Sequence, residues 1–255
     1  MIFKRMVANL RAQNWSAIAI ELGIVIVGVF IGTWVANWNQ ERAARAETRR
    51  MIGQLGPSLE LLEQYFVSIR DYYSVTRGYA NTALAGWARN PSVSDSDFVI
   101  AAYQASQITG LITNGSAWAT VLGADQLRRI DDERLRTNLS TLISSDYSII
   151  DLPAVDTPYR RNIRRLIPMA IQDRIRARCN DVPPPEGRYF VTLPSTCDVK
   201  LETAEAAAAA AKLRQNPEVR DDLQWHVAAQ SAMIGNLGPF EQATRDVRSR
   251  SRAMK

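Results

Sequence analysis

Histidine and cysteine are almost missing from this chain of 255 residues, which has one of the first and two of the second. That is too few for a zinc site built from imidazoles and thiolates. Lysine is scarce too. Nearly all of the 31 basic residues are arginines, set against 26 acids for a formal net charge of +5. Such an excess permits anionic partners, lipid headgroups or nucleic acid, but is too small to require one. No GxxxxGK[ST], HExxH, GxSxG or CxxC pattern occurs, so a phosphate loop, a zincin helix, a nucleophile elbow and a dithiol centre have no support. No internal repeat is found. The chain reads as non-enzymatic, with no cofactor and no metal. With 46% hydrophobic and 22% charged residues, it has enough apolar material for one folded domain.

What is present in quantity is one apolar run. Residues 17–36, AIAIELGIVIVGVFIGTWVA, carry a single charge and are long enough to span a bilayer. Residues 1–16 form a short basic lead, with Lys4, Arg5 and Arg11, as expected of a cytoplasmic tail. The far flank is basic as well (Arg42, Arg45, Arg49, Arg50), diluted by Glu41 and Glu47, so charge alone leaves orientation open. A cleaved signal peptide is the weaker reading. The run exceeds the usual apolar stretch, and the small-x-small triplet Ala44-Arg45-Ala46 lies well beyond its end. Trp15 before the span and Trp34 and Trp38 at its far end suit the two interfaces.

Glu21 is the pointed residue of the span, since a carboxyl among lipid tails is costly and marks a functional candidate. Gly28 and Gly32 form a GxxxG, which lets helices approach closely. At 100° per residue, Glu21, Gly28, Gly32 and Asn39 share one stripe, a membrane packing face for a second copy or another membrane protein.

Beyond the span the spacing predicts helices. Thr48, Ile52, Leu55, Leu59, Leu62, Phe66, Ile69, Tyr73, Thr76, Ala80, Ala83 and Trp87 form a heptad-like seam, interrupted at Gly56-Pro57 and ended at Asn90-Pro91. Ser94-x-x-Asp97 is a capping box with Asp in the last position. Ser116 caps a short helix through Trp118 and Leu122, and Asp131 caps the next. Asp156-Thr157-Pro158 starts an arginine-rich helix, Arg160, Arg161, Arg164, Arg165, Arg174, Arg176 and Arg178, bent at Pro168. Its bland reading is a solvated face; its sharper one is a surface for anions. Ala206–Ala211 is a strong helix former with little to bury. A second seam, Val219, Leu223, His226, Gln230, Met233, Leu237, Phe240, Thr244 and Val247, runs past Gly238-Pro239 to a basic, frayed end. His226 has Asp222 one turn before it, but with no nucleophile in view it reads as a satisfied core histidine.

Cys179 and Cys197 bracket a Pro-rich stretch, residues 179–197, in which 188–192 read as extended. A disulfide closing this loop is expected, since nothing else there promises to hold its ends. It implies an oxidising compartment, and so a domain outside the cytoplasm.

Three segments also carry a likeness. Glu21, an apolar run, and then Asn37-Trp38-Asn39-Gln40-Glu41-Arg42 resembles the anchor of a family of uncharacterised bacterial single-pass membrane proteins. Residues 117–122, followed by Leu127, Ile130, Asp131, Asp132, Leu135 and Arg136, are similar to that family's short helix, Gly turn and leucine-bearing helix. The helix opening Asn216-Pro217-Glu218 is similar in placement. The likeness implies one N-terminal span and a helical domain, and it implies no activity. The 179–197 loop and the polyalanine stretch lie outside it.

The expectation is an all-α protein: a cytoplasmic tail (1–16), a transmembrane helix (17–36), an extracytoplasmic helical bundle (37–250) with a disulfide-closed Pro-rich loop, and a frayed tail (251–255). Its place is the bacterial inner membrane, with the N-terminus cytoplasmic and the main domain periplasmic. Its work is to bind a protein partner or itself through the span. A ligand-sensing bundle acting through a membrane partner is the alternative, and nucleic acid is disfavoured.

Overall fold

The computed structural model describes residues 15–110, 122–152, 157–184, 186 and 190–253. Among them the chain is all-α, with a single isolated β-bridge and no strand. The elements are α1 (Trp15–Gln54), α2 (Gly56–Trp87), α3 (Asp95–Gln104), α4 (Ala124–Arg128), α5 (Glu133–Ser144), a 3₁₀ turn (Tyr147–Ile150), α6 (Pro158–Leu166), α7 (Met169–Cys179), α8 (Thr203–Arg214) and α9 (Pro217–Ala253).

The two seams are the spine. Every seam position from Thr48 to Ala83 is buried, and so is every one from Val219 to Val247. α2 and α9 pack along each other because each offers a continuous apolar stripe at helical spacing. Proline lies inside α9 at Pro239 without ending it. Between α1 and α2 the interruption is short: Leu55 caps the new helix, and its N–H bonds Ile52 O at 3.1 Å.

Apolar packing falls into two groups. One gathers the first half of α2, α5, the 3₁₀ turn and the end of α9, around Phe66, Leu139, Tyr147 and Phe240. The other gathers the end of α2 with α3, α6, α7, α8 and the start of α9, around Phe98, Tyr159, Ile171 and Leu223. The polyalanine helix corrects the expectation that it has little to bury. Ala206, Ala209, Ala210 and Leu213 are buried, and α8 packs on α3, whose Ala101 and Ala102, with the C-cap Ala105, belong to the same apolar group. Alanine here allows close helix approach.

Caps explain most boundaries. Ser94 Oγ accepts the Asp97 N–H at 3.0 Å, as the capping box predicts. α5 is capped by Asp132, one residue after the expected Asp131; its carboxylate accepts the Leu135 N–H at 3.0 Å. The run bent at Pro168 is in fact two helices, with Pro168 capping α7. Gln172 Nε2 donates to the carbonyls of Arg164 and Ile167, each at 2.8 Å, and so satisfies groups that the break leaves open. The tail expected to fray, 251–255, is described as far as Ala253. α9 stays helical to Ala253, Ser251 is buried, and Arg250 binds Asp132 at 2.5 Å and Asp246 at 3.0 Å. The expected cap Ser116, the residue Trp118, and Asp156, Arg188 and Tyr189 lie outside the described residues, as does most of the 1–16 lead.

Candidate functional site

α1 is 40 residues long, yet only Thr48 and Ile52 are buried. The apolar window lies wholly outside the packed body, with none of it buried. Among the described residues it belongs to the one helix long and apolar enough to cross a membrane. Exposed apolar side chains surround it on all sides, including Ile20, Ile24, Val27, Phe30 and Ile31. Hydrophobic exposure on this scale is unstable in water at about 25 cal/mol per Å².

The expected packing stripe lies open. An added Cβ at Gly28 or Gly32 would meet nothing within 4 Å. Glu21 is half-buried, and one of its carboxylate oxygens has no hydrogen-bond partner. Asn39 is exposed farther along the same face. Thr33 folds its hydroxyl back on the carbonyls of Val29 and Phe30, each at 3.0 Å, so it hides its own polarity within the helix. Trp15, Trp34 and Trp38 are all exposed, at the two ends of the window.

Where α1 meets the body, charge replaces grease. Trp38, Glu41, Arg42, Arg45 and Arg49 line a groove on one side of the helix. Arg42 stacks its guanidinium 5.4 Å from the Trp38 ring centroid. Glu41 holds Arg45 at 3.2 Å and Arg129 of α4's C-cap at 3.7 Å, and Arg45 also reaches Asp131 at 3.6 Å. These contacts tie the stalk to α4 and to the start of α5. Each is exposed and individually weak.

The cysteines form a disulfide, with Cα atoms 5.5 Å apart, and no free cysteine remains. The loop they close is held by more than that bond, which corrects the expectation. Phe190 and Leu193 are buried in the core, and the Phe190 ring meets Tyr65 edge-on at 5.3 Å. Val182 and Thr192 exchange two backbone hydrogen bonds, so the extended reading holds at Thr192.

His226 is fully buried at the junction of the two apolar groups. Its Nδ1 lies 2.7 Å from Thr157 Oγ1 and its Nε2 3.0 Å from Gln230 Nε2. Thr76 Oγ1 donates to Tyr73 O at 3.1 Å and lies 3.4 Å from Gln230 Oε1, so a polar chain runs from Thr76 through Gln230 and His226 to Thr157. Burial pushes the imidazole down to about 4. Asp222 takes a 2.7 Å hydrogen bond from Asn162 instead of orienting His226. Sequence reasoning missed this polar chain. Its signal was in plain view as Thr76, His226 and Gln230, polar residues on two otherwise apolar seams. The hydroxyl of Thr157 is turned to the histidine, which explains why it does not cap α6.

The arginine-rich run divides by partner. Arg174 pairs with Glu205 and Arg176 with Asp173. Arg165 and Arg178 point to solvent. Among the described residues, no group of histidine, cysteine, aspartate and glutamate is placed to hold a metal. No family model matches the chain, and neither a curated protein nor a solved structure matches it.

Proposed function

We propose that this protein is a membrane-anchored, non-enzymatic helical module that binds a protein partner or assembles with itself at the bilayer. One observation carries the reading: the apolar window of α1 is unburied on every side, yet runs without a break into a helix whose far end is packed into the body. Lipid is the solvent that makes such a surface stable. Within that surface, the open Gly28–Gly32 groove and the half-buried Glu21 supply a directional face. The disulfide supports an oxidising compartment for the packed body. With an N-inside span, this is the periplasmic side of a bacterial inner membrane.

The test is association in a bilayer. Full-length protein in vesicles is cross-linked, alone and after recovery from cells, for wild type, Gly28→Leu and Glu21→Ala. The reading expects both variants to lose dimer or a co-recovered membrane protein while keeping the disulfide. If both variants cross-link like wild type in both settings, the span is a tether only and the proposal fails. A reporter fused after Lys255 that works only in the cytoplasm would overturn the orientation.

A further inference from the structure

Just past the apolar run, α1 carries more positive charge than negative. Trp38, Arg42, Arg45 and Arg49 recur at steps of four, three and four, so they share one face of the helix. With Glu41 and Ala46 they line a groove of about 540 Å³. The acids around it are already engaged. Glu41 gives one carboxylate oxygen to Arg45 and the other to Arg129. Asp131 also meets Arg45, Glu47 holds Arg50, and Asp125 holds Arg128. Over residues 37–50 and 124–131, six arginines stand with these four acids, an excess of two cations. Among the described residues, Arg42 and Arg49 form no ion pair. The one acid outside those residues, Asp156, directly precedes Thr157 at the start of α6.

Height along the helix relates this charge to lipid. Arg42, six residues past Ala36, stands about 9 Å beyond the apolar run, and Arg45 about 14 Å. A headgroup layer is roughly 5–8 Å deep. Helical side chains lean toward the N-terminus, which for α1 is the side of the apolar run. Arg42 leans that way: its guanidinium lies 5.4 Å from the centroid of Trp38, one turn closer to the run. An indole and the cation stacked on it are thus offered together, at the height where phosphates begin. Arg45 is half exposed, and its pairs with Glu41 and Asp131 are of the weak, solvated kind.

We infer that, with α1 as the membrane anchor proposed above, this groove seats the phosphate of an anionic phospholipid from the leaflet at the C-terminal end of the span. Arg42 is the main contact, and Arg45 and Arg49 stand above it. A guanidinium fork matches a phosphate through bidentate hydrogen bonds. A zwitterionic headgroup carries its own ammonium beside the phosphate, and the excess arginines repel it. An anionic headgroup leaves the phosphate open and supplies the charge that the groove lacks. Soluble phosphate shares the chemistry, but it has no acyl chains to hold it beside Trp38. The bound lipid steadies α1 where it joins α4.

The experiment places the full chain in nanodiscs of equal phosphatidylcholine and phosphatidylglycerol, and mass spectrometry of the released protein counts the lipids that stay bound. Phosphatidylglycerol should exceed phosphatidylcholine about tenfold, and Arg42→Gln should lower that ratio about fivefold. Arg165→Gln, exposed on distant α6, should leave it unchanged. Circular dichroism checks that each variant keeps its helices. Equal retention of the two lipids by wild type overturns the inference, and so does a ratio that Arg42→Gln leaves intact. A melting temperature raised by inorganic phosphate in detergent, with phosphatidylglycerol adding nothing, assigns the groove to a soluble anion and also overturns it. Alkaline washing of pure phosphatidylcholine vesicles separates this inference from the anchor. Protein that is stripped off overturns both, whereas protein that stays but shows no lipid preference in the nanodiscs overturns this inference alone.

Discussion

The ring of Phe98 occupies the place where residue 86 would carry a side chain: a Cβ built on Gly86 would lie 2.3 Å from Phe98 Cδ2. α3 can cross α2 this closely only because that atom is missing. The ring is held from other sides by Trp87, edge-on at 4.9 Å, and by the Arg214 guanidinium at 5.0 Å. Arg214 in turn binds Asp95 at 2.8 Å and Gly86 O at 3.2 Å. Three helices thus meet at one glycine.

Gly86→Ala is expected to destabilise the protein by roughly 1–3 kcal/mol, the usual cost of overpacking a core. Chemical denaturation of the variant checks this. Adding Phe98→Leu should recover part of the loss, since the smaller side chain opens the space. Purely additive losses would show that the ring is not the obstacle.

Arg89 adopts a left-handed backbone, with φ 57°. It ends α2 in a Schellman arrangement: its own N–H reaches Gly86 O at 3.2 Å, and that of Asn90 reaches Ala85 O at 3.0 Å. An L side chain there costs about 1–2 kcal/mol that glycine does not. Arg89→Gly should raise the denaturation midpoint, by a stability gain on the order of 1 kcal/mol after glycine's greater unfolded-state entropy is subtracted.

His226 gives the fold a pH signature that one residue carries, because the chain has no other histidine. The folded imidazole titrates near 4 rather than at the ordinary 6.5. Between those values the unfolded chain binds the proton and the folded one does not. Stability is therefore full above 6.5 and declines as pH falls to 4, by about 3 kcal/mol in all. Carboxylates add their own dependence at the low end. The quantity to measure is the difference in unfolding free energy between wild type and His226→Gln across this window. A constant difference would contradict a neutral buried histidine.

Reduction should loosen the body without dissolving it. A closed loop of this size contributes about 3 kcal/mol by limiting the unfolded chain. Cys179→Ser with Cys197→Ser is expected to lower stability by that order while far-UV circular dichroism keeps its helical signal, because Phe190 and Leu193 still anchor the loop in the core. Collapse of the helical signal at room temperature would show the bond to be indispensable.

The sequence made the two seams plain, from Thr48 to Ala83 and from Val219 to Val247, because burial against a neighbouring helix imposes a period that the residues themselves display. Ser94 marked a helix start for the same reason: caps are local. Choice of partner is not local, and there the reading ran out. Nothing in a run of alanines says that it will pack on α3 and share one apolar group with Ala101 and Ala102. Nothing in the final arginines says that Asp132 and Asp246 will hold Arg250 in helix. Nothing in the arginine-rich run says that Arg160 and Arg164 will both meet Gln107, more than fifty residues earlier in the chain. In α1 the stripe of Glu21, Gly28, Gly32 and Asn39 follows from helical geometry alone, and the helix supplies that geometry.

The single-residue junction at Leu55 makes α1 and α2 one nearly continuous rod, from Trp15 to Trp87. At 1.5 Å per residue such a rod is about 110 Å long. Under the proposed anchoring it is a ruler as well as a tether: with its first part in lipid, the rod would set the height at which the distal helices stand, and a turn of the span about its own axis would swing those helices around the same axis. A partner on that proposed membrane face would then be in mechanical register with whatever meets the far end.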